Sequence, residues 1–269
     1  DNKKFALSSI TLDKKVLTQA AALEKEIKVL VKNEEGETEY YWDFDSKVIH
    51  EDKNRTVNLL IEKIPLKDDK IIAKLLNLSK EKKTLGGIVI NIKNGSTFPW
   101  VSTATLSVDK KWGLEQGKKV YLYRYNETTK KLEELPNSIL EVTKDGTLEL
   151  PVIQGGKYII LSKRLDSKIV TPLMGQIKVS PSKKALSVKS AGNMKVVLPP
   201  TIINVKKFTK DPTAVIEGKI TYKSGNPSIA AVNSSGKITG KKPGKTTIYT
   251  TVQLRNGTKK TYKSGITVR

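Results

Sequence analysis

From residue 27 onward the apolar residues of this chain recur mainly at every second position, in short runs broken by turn signals. Ile27, Val29 and Val31 share one face of an extended segment, and Tyr40, Trp42 and Phe44 share one face of the next. Ile88, Ile90 and Ile92 repeat the pattern, as do Ala104, Leu106 and Val108. A period of two belongs to a half-buried strand, because successive side chains leave opposite faces. Between the runs stand Asn33-Glu34-Glu35-Gly36-Glu37, Asn94-Gly95 and Asp145-Gly146, residues suited to tight turns. One segment departs: Ile71, Ile72, Leu75, Leu76 and Leu78 have helical spacing, with Asp68 or Asp69 placed to cap it.

The pattern predicts strands at 27–31, 38–44, 56–64, 87–93, 102–108, 120–125, 130–135, 139–142, 147–150 and 158–161, with one short helix at 70–78. That spacing of short strands is the mark of a β-sandwich. Between 162 and 175 the aromatics vanish and Pro172 and Gly175 interrupt. Past that point strands are expected at 176–179, 195–198, 218–223, 230–232, 237–239, 246–254 and 258–268. The chain therefore divides into two all-β domains, residues 1–165 and 166–269.

Charge separates the same two parts. The chain carries a net +22. Residues 1–165 hold 29 Lys and Arg against 24 acids, while residues 166–269 hold 20 against only Asp166, Asp211 and Glu217. Such a field draws polyanions. Arginine is scarce, confined to Arg55, Arg124, Arg164, Arg255 and Arg269. Nucleic-acid readers rely on the bidentate guanidinium and on interleaved aromatics, so specific nucleic-acid binding is not expected. An anionic cell-wall polymer, or a host-surface glycan or protein, is the expected partner. The alternative is a lysine-rich surface that is only solvated.

In the second domain, Ile220-Thr221-Tyr222-Lys223-Ser224-Gly225-Asn226-Pro227-Ser228-Ile229-Ala230-Ala231-Val232 leads through Ser235-Gly236-Lys237-Ile238-Thr239-Gly240 to Pro243-Gly244-Lys245-Thr246-Thr247-Ile248. This order resembles the bacterial Ig-like domain, group 2, with Tyr222 where that family commonly has Trp. The resemblance implies an immunoglobulin-like sandwich in an extracellular surface or secreted protein, with no catalytic residues to transfer. In the first domain, Tyr41-Trp42-Asp43-Phe44, Gly86-Gly87-Ile88, the run 119–126 and the run 156–161 resemble β-rich modules of clostridial-type (Firmicute) surface proteins. That resemblance implies a Gram-positive cell-surface location and no particular activity.

Residue chemistry narrows the enzyme classes. The chain has no cysteine and a single histidine, His50, so a Ser-His-Asp triad would have to use that residue. Its charged setting reads as a strand end. Asp43 with Asp45, or Asp68 with Asp69, offer carboxylate pairs without a spacing that selects an acid and a nucleophile. Asp43, Asp45 and Asp52 are a candidate Ca²⁺ set, although no twelve-residue calcium loop is present. No other cofactor is implied. No run approaches the length of a membrane span, and the opening Asp1-Asn2-Lys3-Lys4 carries no signal-peptide pattern. Trp100 and Trp112, both in turn-rich segments, are the candidate glycan-binding residues; the Tyr121, Tyr123 and Tyr125 row is expected to be half core.

The expected protein is thus all-β, two β-sandwich domains with the C-terminal one immunoglobulin-like and one short helix in the first. Its expected role is a non-enzymatic structural or adhesive module, extracellular and at the bacterial cell surface. The alternative is a carbohydrate-binding accessory region of a secreted glycan-active enzyme.

Overall fold

A computed structural model describes residues 9–23, 26–49, 56–78, 85–166, 168–209 and 215–269. The chain is mostly strand and forms two compact units, the first running to Pro172 and the second starting at Leu173. The sequence puts the division at 165/166. A short parallel pairing of residues 170–171 with the strand at 131–141 carries the first unit further.

In the first unit the elements are β1 (Thr11–Leu12), α1 (Lys14–Ala22), β2 (Ile27–Lys32), β3 (Thr38–Ile49), β4 (Val57–Asn58), β5 (Ile61–Pro65), α2 (Lys70–Leu75), β6 (Gly87–Ser107), β7 (Lys119–Asn126), β8 (Lys131–Glu141), β9 (Thr147–Leu161) and β10 (Val170–Thr171). Seven strands form a sheet in the order β10-β8-β7-β9-β6-β3-β2, and β5 adds to β6 as the eighth. Both ends of β6 and β9 turn their alternate side chains to one core: Ile88, Ile90 and Ile92 meet Ala104 and Leu106, with Leu148, Leu150 and Ile160. The β1–β4 ribbon and α1 close that core from the other side through Val57, Leu59 and Leu17. Trp42, fully buried, stacks on Phe44 at 5.9 Å and donates its indole N–H to the Leu59 carbonyl at 2.9 Å, tying the two layers. Across the sheet a second cluster holds Val89, Ile159 and Leu161 against Ile72 of α2 and Leu66.

Three expectations need correction. First, α1 makes a second helix before the first predicted strand; among its described side chains Leu17 and Ala20 are the buried ones, too few for the helical period to stand out. Second, the segment predicted as one strand at 56–64 is two strands, parted at Leu59-Leu60, because the Leu59 carbonyl serves Trp42. Third, Asn94-Gly95 does not turn the chain. β6 runs on through it with register shifts against β9, so the predicted pairs 87–93 with 102–108, and 147–150 with 158–161, are each one bulged strand. The runs 130–135 and 139–142 likewise join into β8.

In the second unit the strands are β11 (Lys178–Ser180), β12 (Lys183–Leu186), β13 (Ala191–Asn193), β14 (Lys195–Val197), β15 (Ile202–Asn204), β16 (Ile216–Ser224), β17 (Ala230–Val232), β18 (Lys237–Gly240), β19 (Gly244–Leu254) and β20 (Lys259–Val268). A five-stranded sheet, β12-β20-β19-β16-β15, faces a three-stranded one, β13-β18-β17, with β11–β14 as a separate ribbon. Ile248 and Ile266 of the larger sheet and Ala230 and Ile238 of the smaller are buried between them, and Val252 and Leu254 join Ile202 and Ile216 in a second cluster. At Ser235-Gly236 the turn is held by Asn233, whose side-chain oxygen accepts from the N–H groups of Ser235 and Lys237. Gly236 supplies the positive φ of 82°.

Candidate functional site

On β16, β19 and β20 the even-numbered positions point into the sandwich and the odd-numbered ones away from it. The antiparallel registers place the outward residues in cross-strand rows. One row is Lys219, Gln253 and Lys259; the next is Thr221, Thr251 and Thr261; the third is Lys223, Tyr249 and Lys263. Four lysines therefore stand at the corners of a rectangle. Its sides are about 10 Å, two strand spacings, by about 13 Å, four residues along a strand. Its centre is neutral, with the Thr251 and Thr261 hydroxyls hydrogen-bonded to each other at 2.8 Å. Tyr249 lies between Lys223 and Lys263, and Lys219 passes over the Phe208 ring at 5.7 Å. The next row adds Lys183, whose strand pairs with Gly265.

Among the described residues Glu217 is the acid of this face, and it is engaged internally. It accepts from the Thr209 N–H at 2.6 Å and from the Thr209 hydroxyl, with Arg255 at 3.8 Å. The Thr209 side-chain and backbone bonds hold its carboxyl below the usual range, so it stays charged but neutralised by its own neighbours. The lysines are thus left as the available charge of a flat, open β surface.

Residues 176–264 match the bacterial Ig-like domain, group 2. Domains of this family are typically non-catalytic surface modules of bacterial proteins. The match covers the segment in which Asn226-Pro227, Ser235-Gly236 and Gly244 carry the resemblance, and the lysine rectangle lies wholly inside it. Tyr222, in the place of the common Trp, packs its ring over Gly236, where an added Cβ would come within 2.9 Å of it. No curated protein matches the chain.

The other predicted site residues lie in the first unit. Trp112 sits in a 3-10 turn, Lys110–Trp112, capped by Asp109 and ended by Gly113 at φ 65°. It is only 7% exposed and packs into the main core, so it is not an open stacking platform; it is among the residues lining a cavity of about 880 Å³. Trp100 lies in β6 opposite Ile49, and its side chain falls outside the described residues. His50 and Asp52 fall outside them too, as does the Asp45 side chain. Asp43 lies 3.8 Å from Lys28, both half-exposed. Among the described residues no group of three His, Asp or Glu stands close enough to hold a metal ion. Tyr123 and Tyr125 are core residues on the α2 side, and Tyr121 packs against them half-buried.

The sequence places the basic charge in the second domain, but the rectangle takes shape only in the paired strands. The signal was present: Lys219 and Lys223, like Lys259 and Lys263, are four apart on a strand and so share a face. The Asn256-Gly257 turn fixes the register that brings the two pairs opposite.

Proposed function

We propose that this chain is a non-enzymatic structural and adhesive module of a bacterial surface or secreted protein, whose Ig-like domain contacts an anionic cell-wall polymer through the outer face of its large sheet. The single observation that carries the reading is the lysine rectangle on β16 and β20, unopposed because Glu217 is occupied by Thr209 and Arg255. A flat array of lysines on a rigid sheet suits a flexible chain of regularly spaced phosphates. Such a chain can settle on it without a pocket, and binding releases counterions. Lysine, a compact charge on a flexible stem, asks for no fixed acceptor geometry. The first unit would then be the part carried outward from the wall, in a Gram-positive, Firmicute-type setting.

The test is retention of the full chain on purified Gram-positive walls, with and without teichoic acid, across about 50 to 500 mM salt. Retention should require teichoic acid and fall steeply over that range. Changing Lys219, Lys223, Lys259 and Lys263 together to Gln should remove most of it. Retention that ignores salt, or that survives the fourfold change, overturns the proposal.

A further inference from the structure

We propose that the cavity beside Trp112 in the first unit is a second, separate binding site, for an anionic oligosaccharide. Six lysines ring it: Lys67, Lys110, Lys111, Lys118, Lys119 and Lys163. Glu115 is the one acid among its described lining residues. Lys111 is engaged, 2.7 Å from Asp109. Among the described residues the other five form no ion pair. They come from four separate stretches of chain: the end of β5, the 3-10 turn, the start of β7 and the end of β9. Only the fold gathers them, so their convergence cannot be read as a local run of like charges.

The floor differs from the rim. Leu66, Trp112 and Val120 are buried there, with Leu78 and Leu85 half-buried beside them. Gly86 holds this floor in place, since its Cα packs so closely on the Gly113 carbonyl that a Cβ would lie 2.1 Å from the oxygen. That contact fixes the turn that carries Trp112. An apolar, partly aromatic floor under a cationic rim fits a sugar chain bearing acid groups. The C–H faces of the rings rest on the floor, and the carboxylates or sulfates reach the lysines. A bare polyphosphate would use the rim alone. A volume of about 880 Å³ is in the range of small-ligand sites and admits an oligosaccharide of a few rings. Crowding like charges around a cavity raises its potential, which an anion relieves.

The proposal is tested on the full chain by calorimetry at about 50 mM salt, low enough to leave lysine attraction unscreened. The probes are a tetragalacturonate, a sulfated tetrasaccharide, neutral cellotetraose and inorganic tetrapolyphosphate. One or both acidic sugars should bind with saturation at one site, and cellotetraose should not. The variant Lys118→Gln/Lys119→Gln/Lys163→Gln alters only exposed side chains and so should fold; it should lose at least tenfold in affinity. Lys223→Gln/Lys263→Gln, on the other unit, should bind the acidic sugars as before while weakening any tetrapolyphosphate binding, which separates this site from the wall-contacting face. Three results each overturn the assignment: neither acidic sugar binds, the triple variant binds the acidic sugars like the parent, or tetrapolyphosphate binds as tightly as the sugars to the chain carrying Lys219→Gln/Lys223→Gln/Lys259→Gln/Lys263→Gln, in which the wall-contacting face is removed.

Discussion

The Lys157 ammonium lies 2.6 Å from the Asp69 carboxylate, joining β9 to the residue that caps α2. Asp69 is 4% exposed on its side chain, and it also accepts from the N–H groups of Ile71 and Ile72. Burial pushes its pKa up, but the Lys157 hydrogen bond and the two backbone N–H groups outweigh that and leave it lowered. A carboxyl with a lowered folded pKa contributes stability that is fully present above its unfolded value of about 3.9, and the contribution is lost as pH falls through the folded value. Urea melts should therefore show stability falling below about pH 4. Asp69→Asn should lower stability at pH 7 and flatten that acid limb. An unchanged limb in the variant would assign the acid sensitivity to other carboxyls.

Thr250 is fully buried on β19, and its hydroxyl has no hydrogen-bond partner among the described residues. Valine has the same shape and the same preference for extended backbone. Thr250→Val should therefore raise stability by up to about 1 kcal/mol, the cost of an unmade buried hydrogen bond being removed. Thermal melting of the two proteins checks the sign.

Gly155 faces the bulge in β6 so closely that an added Cβ would lie 1.6 Å from the Asn94 carbonyl oxygen. Backbone cannot yield as a flexible side chain can. Gly155→Ala should destabilise the first unit severely, by about 3 kcal/mol or more, on the scale of the largest single-residue effects. Gly95→Ala nearby, where nothing lies within 4 Å of the new carbon, should cost little. Denaturant midpoints that place the two variants together would show that the bulge can move aside.

Gly236 combines a φ of 82° with the Tyr222 ring against its Cα. Gly236→Ala incurs backbone strain of about 1 kcal/mol or more, and the ring must shift as well. Adding Tyr222→Phe should not rescue it, because the ring carbon, at 2.9 Å, is nearer the added Cβ than the hydroxyl oxygen. A double variant as stable as the parent would trace the cost to the hydroxyl.

Where structure is set by neighbours in sequence, it was legible beforehand. Asn233 to Gly236, Asn256-Gly257 and the Asp69 cap each act within a few residues, and the long strands β16, β19 and β20 repeat their period often enough to be seen. Strands of three or four residues, β12, β13 and β15, left no such trace. The partners of β12 and β13 lie far along the chain, as when Lys183 pairs with Gly265. Asn94-Gly95 carried a strong turn signal that the β6–β9 ladder overrode. Trp112 looked exposed because its flanks are polar, although its ring packs into the core. The lysines around its cavity were invisible for the opposite reason: Lys67 and Lys163 lie far in sequence from Lys110 to Lys119, and only the fold brings them together.

The pairing of β12 with β20 is parallel, and its hydrogen bonds continue past the register from Gly265 N–H to the Ser182 carbonyl and from Arg269 N–H to the Leu186 carbonyl. Tension applied to the chain before Lys183 and after Val268 pulls these two strands in opposite directions along their length. The ladder is then loaded in shear, so its bonds must give way together rather than peel apart one by one. A domain built this way resists stretching at its ends better than its thermodynamic stability alone would suggest.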